Sequence, residues 1–261
     1  MAADTLIQKL EQGQVVYGTC LIANSPLWLN ALSGAKLDFI FLDTEHIPAD
    51  RSSLAHTCQQ LNAMGITPVV RISHPDPFLA VQALDAGAKA IVAPYIETAE
   101  QLRMLAGAVK YRPLKGKKLE AILSGSEPLS AQLDAYLRSY NHGTMLIANI
   151  ESTPAIANLD ALLATPGLDG VFIGPHDLSV SLGLPEQYDH PDFEAAVRTI
   201  IRKTRAVGKH VGAQFWQDPS VQIKWAKEGL NMVIHSNDLT FFKQKLEADM
   251  ARIRTGIDQL P

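Results

Sequence analysis

The 261-residue chain contains little cysteine, no excess of basic charge and no long apolar run. Cys20 and Cys58 are its only cysteines and follow no metal-type spacing, so we expect two buried thiols and neither a disulfide scaffold nor a thiolate zinc site. A formal net charge of −4 argues against a general polyanion binder. No segment approaches the roughly 20 apolar residues of a membrane helix. Residues 1–4 lack the basic start of a secretory signal, so a cytoplasmic protein is expected.

Eight short apolar segments alternate with amphipathic ones. Their lack of strict polar alternation is typical of strands buried on both faces. Strand–helix alternation implies a parallel sheet, and eight repeats predict closure into a (β/α)₈ TIM barrel. No Gly-x-Gly-x-x-Gly follows the first strand, so an open dinucleotide-binding sheet has no support. The predicted strands are 15–22, 39–42, 68–72, 90–93, 145–150, 171–173, 210–215 and 232–234, and the predicted helices are 54–64, 78–86, 99–109, 155–163, 193–207 and 221–226.

We expect a single domain over 1–261, interrupted by an inserted loop and helix at about 111–141. The loop, about 111–130, holds several lysines, glycines and prolines, and an extra helix is expected from about 129 to 140. Loops this long are often functional in compact domains. Two interpretations are open: a solvated basic loop, or a loop at the barrel rim with a role in the active site.

Polar side chains gather where the predicted strands end. In a barrel of this kind the C-terminal strand ends carry the catalytic groups. Each residue alone has a structural alternative: a helix N-cap for Asp177, a surface residue for Glu151, an ion-pair partner for Arg71 and a rim histidine for His46. Convergence of several strands favours a joint site. The strand-end residues are Asp43, Glu45, His46, Arg71, Glu151, His176 and Asp177.

This set of residues suits metal-assisted chemistry on a 2-oxo acid. Two carboxylates, Glu151 and Asp177, favour a hard divalent cation and leave most of its coordination shell to water and substrate oxygens. Such a cation polarises a ketone and stabilises an enolate. Arg71 offers a planar cationic fork, and His46 can move a proton near neutral pH. No predicted strand end carries a lysine, and Lys89 begins the fourth strand, so a Schiff-base mechanism is not supported.

Five motifs resemble the metal-dependent class II pyruvate aldolases, the family of 4-hydroxy-2-oxo-heptanedioate and 2-dehydro-3-deoxyglucarate aldolases. The resemblance extends from about Gly18 to Asp238. It implies a barrel of the phosphoenolpyruvate/pyruvate type, a hexamer built as a trimer of dimers, and a last helix exchanged between neighbours. The motifs are FIFLDTEH at 39–46, VRI at 70–72, LDAGA at 84–88, IES at 150–152 and GVFIGPHDLS at 170–179.

The resemblance also implies residue roles. Asp85 matches an aspartate paired with the catalytic histidine, yet it lies near the end of a helix that approaches the opposite rim, so the pairing could cross a subunit interface. Asn149 replaces the family's usual glutamine, and His176 a small residue. The implied roles are metal ligands for Glu151 and Asp177, catalysis for His46, Arg71 and Asp85, substrate binding for Arg71, Asn149, Gly174 and His176, and support for Asp43 and Glu45.

The resulting functional hypothesis is a lyase that reversibly cleaves a 4-hydroxy-2-oxo acid to pyruvate and an aldehyde through a metal-stabilised pyruvate enolate. Mg²⁺, Mn²⁺ or Co²⁺ would be its cofactor, and small 2-oxo acids and aldehydes its partners, with no nucleic acid or membrane. Two alternatives stay open: an oxaloacetate decarboxylase using the same site, and a barrel that binds a 2-oxo acid without turnover.

Overall fold

A computed structural model describes residues 6–23 and 25–259, so the two ends of the expected 1–261 domain lie outside the described residues. Eight parallel strands form a closed barrel in sequence order, and the first strand pairs with the eighth. The predicted (β/α)₈ architecture is therefore confirmed. The strands are β1 Val16–Leu21, β2 Phe39–Asp43, β3 Thr67–Arg71, β4 Ala90–Ala93, β5 Met145–Ile150, β6 Gly170–Ile173, β7 His210–Phe215 and β8 Met232–Asn237.

Helices surround the barrel, and several short ones were not predicted. The predicted helix 155–163 is in fact two helices, because the chain turns at Asn158 between them. The helices are α1 Leu6–Glu11, α2 Pro26–Ala31, α3 Arg51–Ala63, α4 Pro77–Ala86, α5 Ala99–Lys110, α6 Gly116–Leu123, α7 Ala131–Tyr140, α8 Thr153–Ala157, α9 Leu159–Leu163, α10 Pro175–Ser181, α11 Pro191–Ala206, α12 Pro219–Lys227 and α13 Asp238–Asp258.

The core has two layers because alternate residues of each strand point into and out of the barrel. The outer layer packs the strands against the surrounding helices. The inner layer fills the barrel with side chains such as Phe41 and Phe172, whose rings stack with centroids 5.4 Å apart. Leu6 and Leu10 of α1 belong to the inner layer and close the N-terminal end of the barrel. The opposite, C-terminal end of the barrel carries the strand-end side chains of the expected site.

The insertion lies at the closed end of its own barrel, so the expectation that it lies at the active-site rim is wrong within one chain. It begins after α5 and returns to the start of β5, and both points are at the N-terminal ends of the strands. Asn141 fixes it there by donating hydrogen bonds to the carbonyls of Lys110 and Arg112. The segment expected to be a long loop also contains the helix α6. Its lysines are therefore remote from the C-terminal strand ends of the same chain.

The last helix, α13, extends away from the barrel. Apart from its first residue, Asp238, none of its described side chains is buried. Asp238 accepts hydrogen bonds from the backbone N–H groups of Ile22 and Ala23 and so fixes the start of the helix to the end of β1. Among the described helices, none has the length and the apolar character that crossing a membrane requires.

Candidate active site

Arg71, at the end of β3, is held by a bidentate ion pair. Its Nε donates to Oδ1 of Asp43 at 2.9 Å and its Nη2 donates to Oδ2 at 2.6 Å. The guanidinium lies 5.6 Å from the centroid of the Phe41 ring. It lies at the base of the C-terminal end of the barrel, which is called the mouth below. Burial by itself would raise the pKa of Asp43, but the hydrogen bonds and charge of Arg71 lower it below its usual value. Asp43 therefore stays ionised and leaves the Nη1 side of the guanidinium for a ligand.

Glu45 and His46 follow Asp43 in the loop after β2. Asp43 Oδ1 accepts a hydrogen bond from the Glu45 N–H at 2.9 Å, which fixes the turn. The Glu45 side chain is only 8% exposed, and its Oε2 lies 3.2 Å from Arg71 Nε. That N–H is already donated to Asp43, so Glu45 Oε2 has no hydrogen-bond partner among the described residues. His46 is 59% exposed, with Nε2 3.7 Å from Glu45 Oε1, so its ring is available to a substrate.

Glu151 follows β5 and points into the mouth. Its Oε1 accepts a hydrogen bond from the Tyr95 backbone N–H at 2.9 Å, and its Oε2 accepts one from the Asn149 side chain. Burial raises the pKa of Glu151 to about 7, with further raising by the charges of Asp177 and Glu45. The surface-residue alternative is thus wrong for Glu151, which is a buried carboxylate beside two other acids.

Asp177 lies in the first turn of α10, directly after β6. The helix begins with Gly174 at the N-cap and has no side-chain cap, so the N-cap alternative for Asp177 does not hold. A Cβ on Gly174 would lie 2.9 Å from Glu151 Oε2 and 3.4 Å from Asn149 Nδ2. Only glycine therefore leaves the Glu151 carboxylate its present position beneath the start of α10.

These residues fit a divalent cation. Glu151 is a buried carboxylate whose hydrogen bonds come from neutral donors, and the neighbouring charges of Asp177 and Glu45 are repulsive. A bound cation would offset that repulsion. Within residues 6–23 and 25–259, no group of three or more His, Cys, Asp or Glu side chains is arranged as a metal cage. Glu151 and Asp177 would thus leave coordination positions for water and substrate oxygens, as Mg²⁺ sites commonly do.

Two expected site residues lie apart from this group. His176 is on the rim, half exposed, with Nδ1 3.7 Å from Glu186 Oε1. Asp85 is 66% exposed at the end of α4 and pairs with Arg112 at 3.1 Å. Within one chain Asp85 therefore does not contact His46, and a pairing between them would require a second copy.

Sequence reasoning missed Tyr95, which follows β4 at the same rim. Its backbone N–H binds Glu151, and its carbonyl accepts a hydrogen bond from Gln101 Nε2 at 3.0 Å. Gln101 also forms a capping box with Thr98 at the start of α5. The capping pattern Thr-x-x-Gln was visible in the sequence as a helix start, but it gave no sign of this second contact.

The chain is similar to known proteins along most of its length. The model of the HpcH/HpaI aldolase/citrate lyase family matches residues 17–243. A 2-keto-3-deoxy-L-rhamnonate aldolase from Klebsiella pneumoniae is 32% identical over 250 residues, covering 96% of this chain and 93% of that protein. The crystal structure of an HpcH/HpaI aldolase from Desulfitobacterium hafniense has a TM-score of 0.81 at 26% identity, covering 99% and 98% of the two chains. That of the citrate synthase SbnG has a TM-score of 0.83 at 28% identity, covering 98% and 99%.

Proposed function

The chain belongs to the HpcH/HpaI aldolase/citrate lyase family, and from that premise we propose that it reversibly cleaves a 2-keto-3-deoxy acid to pyruvate and an aldehyde. The observation that carries the proposal is the mouth of the barrel. There Glu151 is a buried carboxylate with a raised pKa, close enough to Asp177 and to the fixed guanidinium of Arg71 for their charges to act on it. A cation held by Glu151 and Asp177 would therefore lie beside a fork suited to a carboxylate.

A divalent cation such as Mg²⁺, Mn²⁺ or Co²⁺, held by Glu151 and Asp177, would polarise the keto group as a Lewis acid. Arg71 binds oxygens of the 2-oxo acid through its Nη1 side, and Asp43 keeps the guanidinium from rotating. Because both positions are fixed before the substrate arrives, little reorganisation is needed during the reaction.

Cleavage requires one proton to leave an oxygen and one to reach a carbon. His46 takes the proton of the C4 hydroxyl, the C3–C4 bond breaks, and C4 becomes the aldehyde carbon. The bonding electrons pass toward the C2 oxygen and give the enolate of pyruvate, whose negative charge Arg71 stabilises. Return of a proton to C3 forms the methyl group. The exposed imidazole of His46 suits this role because its ring is open to the substrate and histidine can act as a general base.

The remaining site residues bind neither the cation nor the pyruvate half, and we propose supporting roles for them. We assign Asn149 to holding Glu151, and Gly174 to giving that carboxylate room. His176 lies on the rim, where it can contact the aldehyde half of the substrate. Asp85 pairs with Arg112 in its own chain and does not contact His46 there. We therefore propose that the catalytic pairing of Asp85 with His46 forms between two subunits.

We also propose that the protein is a homo-oligomer, in line with the hexamer that the family resemblance implies. One face of α13 carries a continuous apolar stripe at three- and four-residue spacing that the chain itself does not cover. A second copy with the same stripe is a chemically matched occupant. The stripe consists of Leu239, Phe242, Leu246, Met250, Ile253 and Ile257, all exposed.

Deuterium exchange into the methyl group of pyruvate tests the proposal, because it needs no knowledge of the aldehyde. We expect exchange with Mn²⁺ or Mg²⁺ and its loss with chelator. Glu151→Gln and Asp177→Asn should both abolish it, whereas Glu100→Gln, on the exposed side of α5, should not. Full exchange in chelator would disprove the metal-assisted mechanism. Stoichiometric pyruvate binding without exchange would indicate a non-catalytic binder.

A second assay separates the aldolase from the decarboxylase alternative. Pyruvate release is measured with 2-keto-3-deoxy acids and with oxaloacetate under the same conditions. We expect turnover of the 2-keto-3-deoxy acid with equal amounts of pyruvate and aldehyde. A strict preference for oxaloacetate would contradict the aldolase proposal while leaving the metal and Arg71 assignments intact.

A further inference from the structure

The backbone of Tyr95 is held in a conformation that its side chain disfavours. Its φ is +54°, in the left-handed region that bulky residues rarely adopt. In this conformation its N–H donates to Glu151 Oε1 at 2.9 Å, while the Asn149 amide binds Oε2. A strained backbone of this kind persists only where the surrounding structure imposes it. The position of the Glu151 carboxylate therefore depends on what holds Tyr95.

The side-chain amide of Gln101 holds the loop between β4 and α5. Its Oε1 accepts hydrogen bonds from the backbone N–H groups of Glu97 and Thr98, each at 2.9 Å. Its Nε2 donates to the carbonyl of Tyr95 at 3.0 Å. One side chain thus binds the backbone on both sides of Ile96, which is itself buried in the core. An amide suits this position because it both donates and accepts, whereas an ionised carboxylate only accepts.

The two ends of this loop are held by different contacts. At the far end, the Glu97 carboxylate accepts a hydrogen bond at 2.5 Å from the hydroxyl of Ser152, the residue directly after Glu151. At the near end, the carbonyl of Tyr95 has the amide of Gln101 as its partner. Loss of that contact would let Tyr95 relax toward a negative φ and would turn its N–H away from Glu151.

A structural role alone explains only half of this amide. Gln101 forms a capping box with Thr98 at the start of α5, and the part of the amide that serves the box is its oxygen. The contact with the Tyr95 carbonyl uses the NH₂ group, which the box does not require. The two halves of one side chain therefore have separable roles.

We propose that Gln101 is a positioning residue for the cation site: through the backbone of Tyr95 it sets the orientation of the Glu151 carboxylate. Gln101 is not itself a ligand. Its contact fixes one oxygen of Glu151 before a cation arrives, so less ordering of the carboxylate accompanies binding. The inference rests on the proposed function, in which Glu151 is a cation ligand, and adds to it a residue two contacts away.

Gln101→Glu separates the two roles, because glutamate serves the capping box as glutamine does but has no N–H for the Tyr95 carbonyl. The readout is Mn²⁺ titration of the apoprotein, with free Mn²⁺ followed by electron paramagnetic resonance. We expect an affinity about 10-fold weaker than in the wild type, the effect of a lost supporting contact. The added negative charge would by itself strengthen cation binding, so charge cannot explain a loss. At saturating Mn²⁺ the exchange of pyruvate methyl protons should return to near the wild-type rate, since both ligands remain.

Thr98→Val is the matched control. It removes the capping hydroxyl but leaves the contact between Gln101 and Tyr95. The melting temperature of the apoprotein should fall by about 2–4 °C, as loss of a helix cap does, while the Mn²⁺ affinity stays as in the wild type. Wild-type affinity in Gln101→Glu, or equal losses in the two variants, would overturn the inference and leave Gln101 a capping role only.

A double-mutant cycle tests whether Gln101 acts through Tyr95. Glycine adopts a left-handed φ without strain, so in a Tyr95→Gly background Gln101→Glu should cost less Mn²⁺ affinity than it does in the wild type. Equal costs in the two backgrounds would overturn the inference. Failure of the proposed function has a different signature: a wild type that binds no Mn²⁺, or whose affinity Glu151→Gln leaves unchanged, would refute the cation site itself.

Discussion

The side-chain amide of Asn149 donates a hydrogen bond to Oε2 of Glu151, two residues further along the same strand end. Residues two apart on a strand face the same side, so both project into the mouth. Oδ1 of Asn149 is buried and has no hydrogen-bond partner among the described residues. The amide thus has one observed function, to orient a carboxylate that burial would otherwise leave free to rotate or to take up a proton.

Asn149→Leu should weaken metal binding without removing a ligand. Leucine has nearly the same shape but cannot hold Glu151, and loss of such a supporting contact typically costs about 10- to 100-fold in metal affinity. Mn²⁺ titration of the apoprotein measures the effect. Asn149→Gln is the matched control, because it keeps the amide donor. Equal affinity in Asn149→Leu and the wild type would show that Glu151 needs no such support.

Arg71→Lys should lower kcat for the retro-aldol reaction on the order of 10²-fold or more, as loss of a preorganised donor does in other enzymes. A lysine keeps the charge but cannot bind Asp43 through two parallel hydrogen bonds and also present a third nitrogen to the substrate. Steady-state kinetics measure the loss, and Arg103→Lys, on the exposed side of α5, is the control. Near-normal turnover in Arg71→Lys would mean that a point charge is sufficient and that the fork geometry has no role.

Much of the site was predictable because the position of a residue on a parallel strand fixes the rim at which it appears. Arg71 and Glu151 were predicted from their places at or just after strand ends, and the structure brings both to the C-terminal mouth. Asp43 could be predicted in the same way, because it directly follows the apolar stretch Phe39–Leu42 and is the last residue of β2. These inferences needed only the apolar pattern and the direction of the chain.

Features that depend on backbone detail were not predictable. Tyr95 follows a proline in an ordinary-looking turn, and its role depends on a left-handed φ that Gln101 and Glu151 together maintain. Strand β8 runs beyond its apolar stretch to Asn237, across an irregularity at Ser236, which also has a positive φ. The composition of the insertion left two interpretations open, a solvated basic loop or an active-site loop at the rim. Its position after α5 places it at the opposite end of its own barrel.

His210→Gln should change how stability depends on pH. Burial lowers the pKa of His210 below 6.5, and its Nδ1 lies 3.2 Å from Asn231 Nδ2. Below pH 6.5 the unfolded chain takes up a proton that the folded state resists, so this residue makes the free energy of unfolding fall as pH falls. Glu151 acts oppositely, since its raised pKa favours the folded state at lower pH. Glu151 is present in both proteins, so the difference between their free energies of unfolding reports His210 alone.

Urea unfolding from pH 5 to 8 measures that difference. The wild type should lose more stability than His210→Gln as pH decreases below about 6.5, the ordinary pKa of histidine. His142→Gln, an exposed histidine near the same end of the barrel, should follow the wild type. Parallel curves for wild type and His210→Gln would show that the buried imidazole is protonated as readily as a free one.

Introducing charge into the apolar stripe of α13 should dissociate the oligomer. Leu246→Glu with Ile253→Glu places two carboxylates on the face that a second copy would cover, where burying them without a partner is costly. Gln244→Glu with Thr255→Glu adds the same charge on the opposite face of the helix and is the matched control. Sedimentation velocity across a range of concentrations should show a smaller species only for the stripe variant. A monomeric wild type, or two variants with the same sedimentation coefficient, would mean that another surface, or none, joins the copies.

Because Asp85 can meet His46 only between chains, a dissociated variant should also lose activity if that pairing operates.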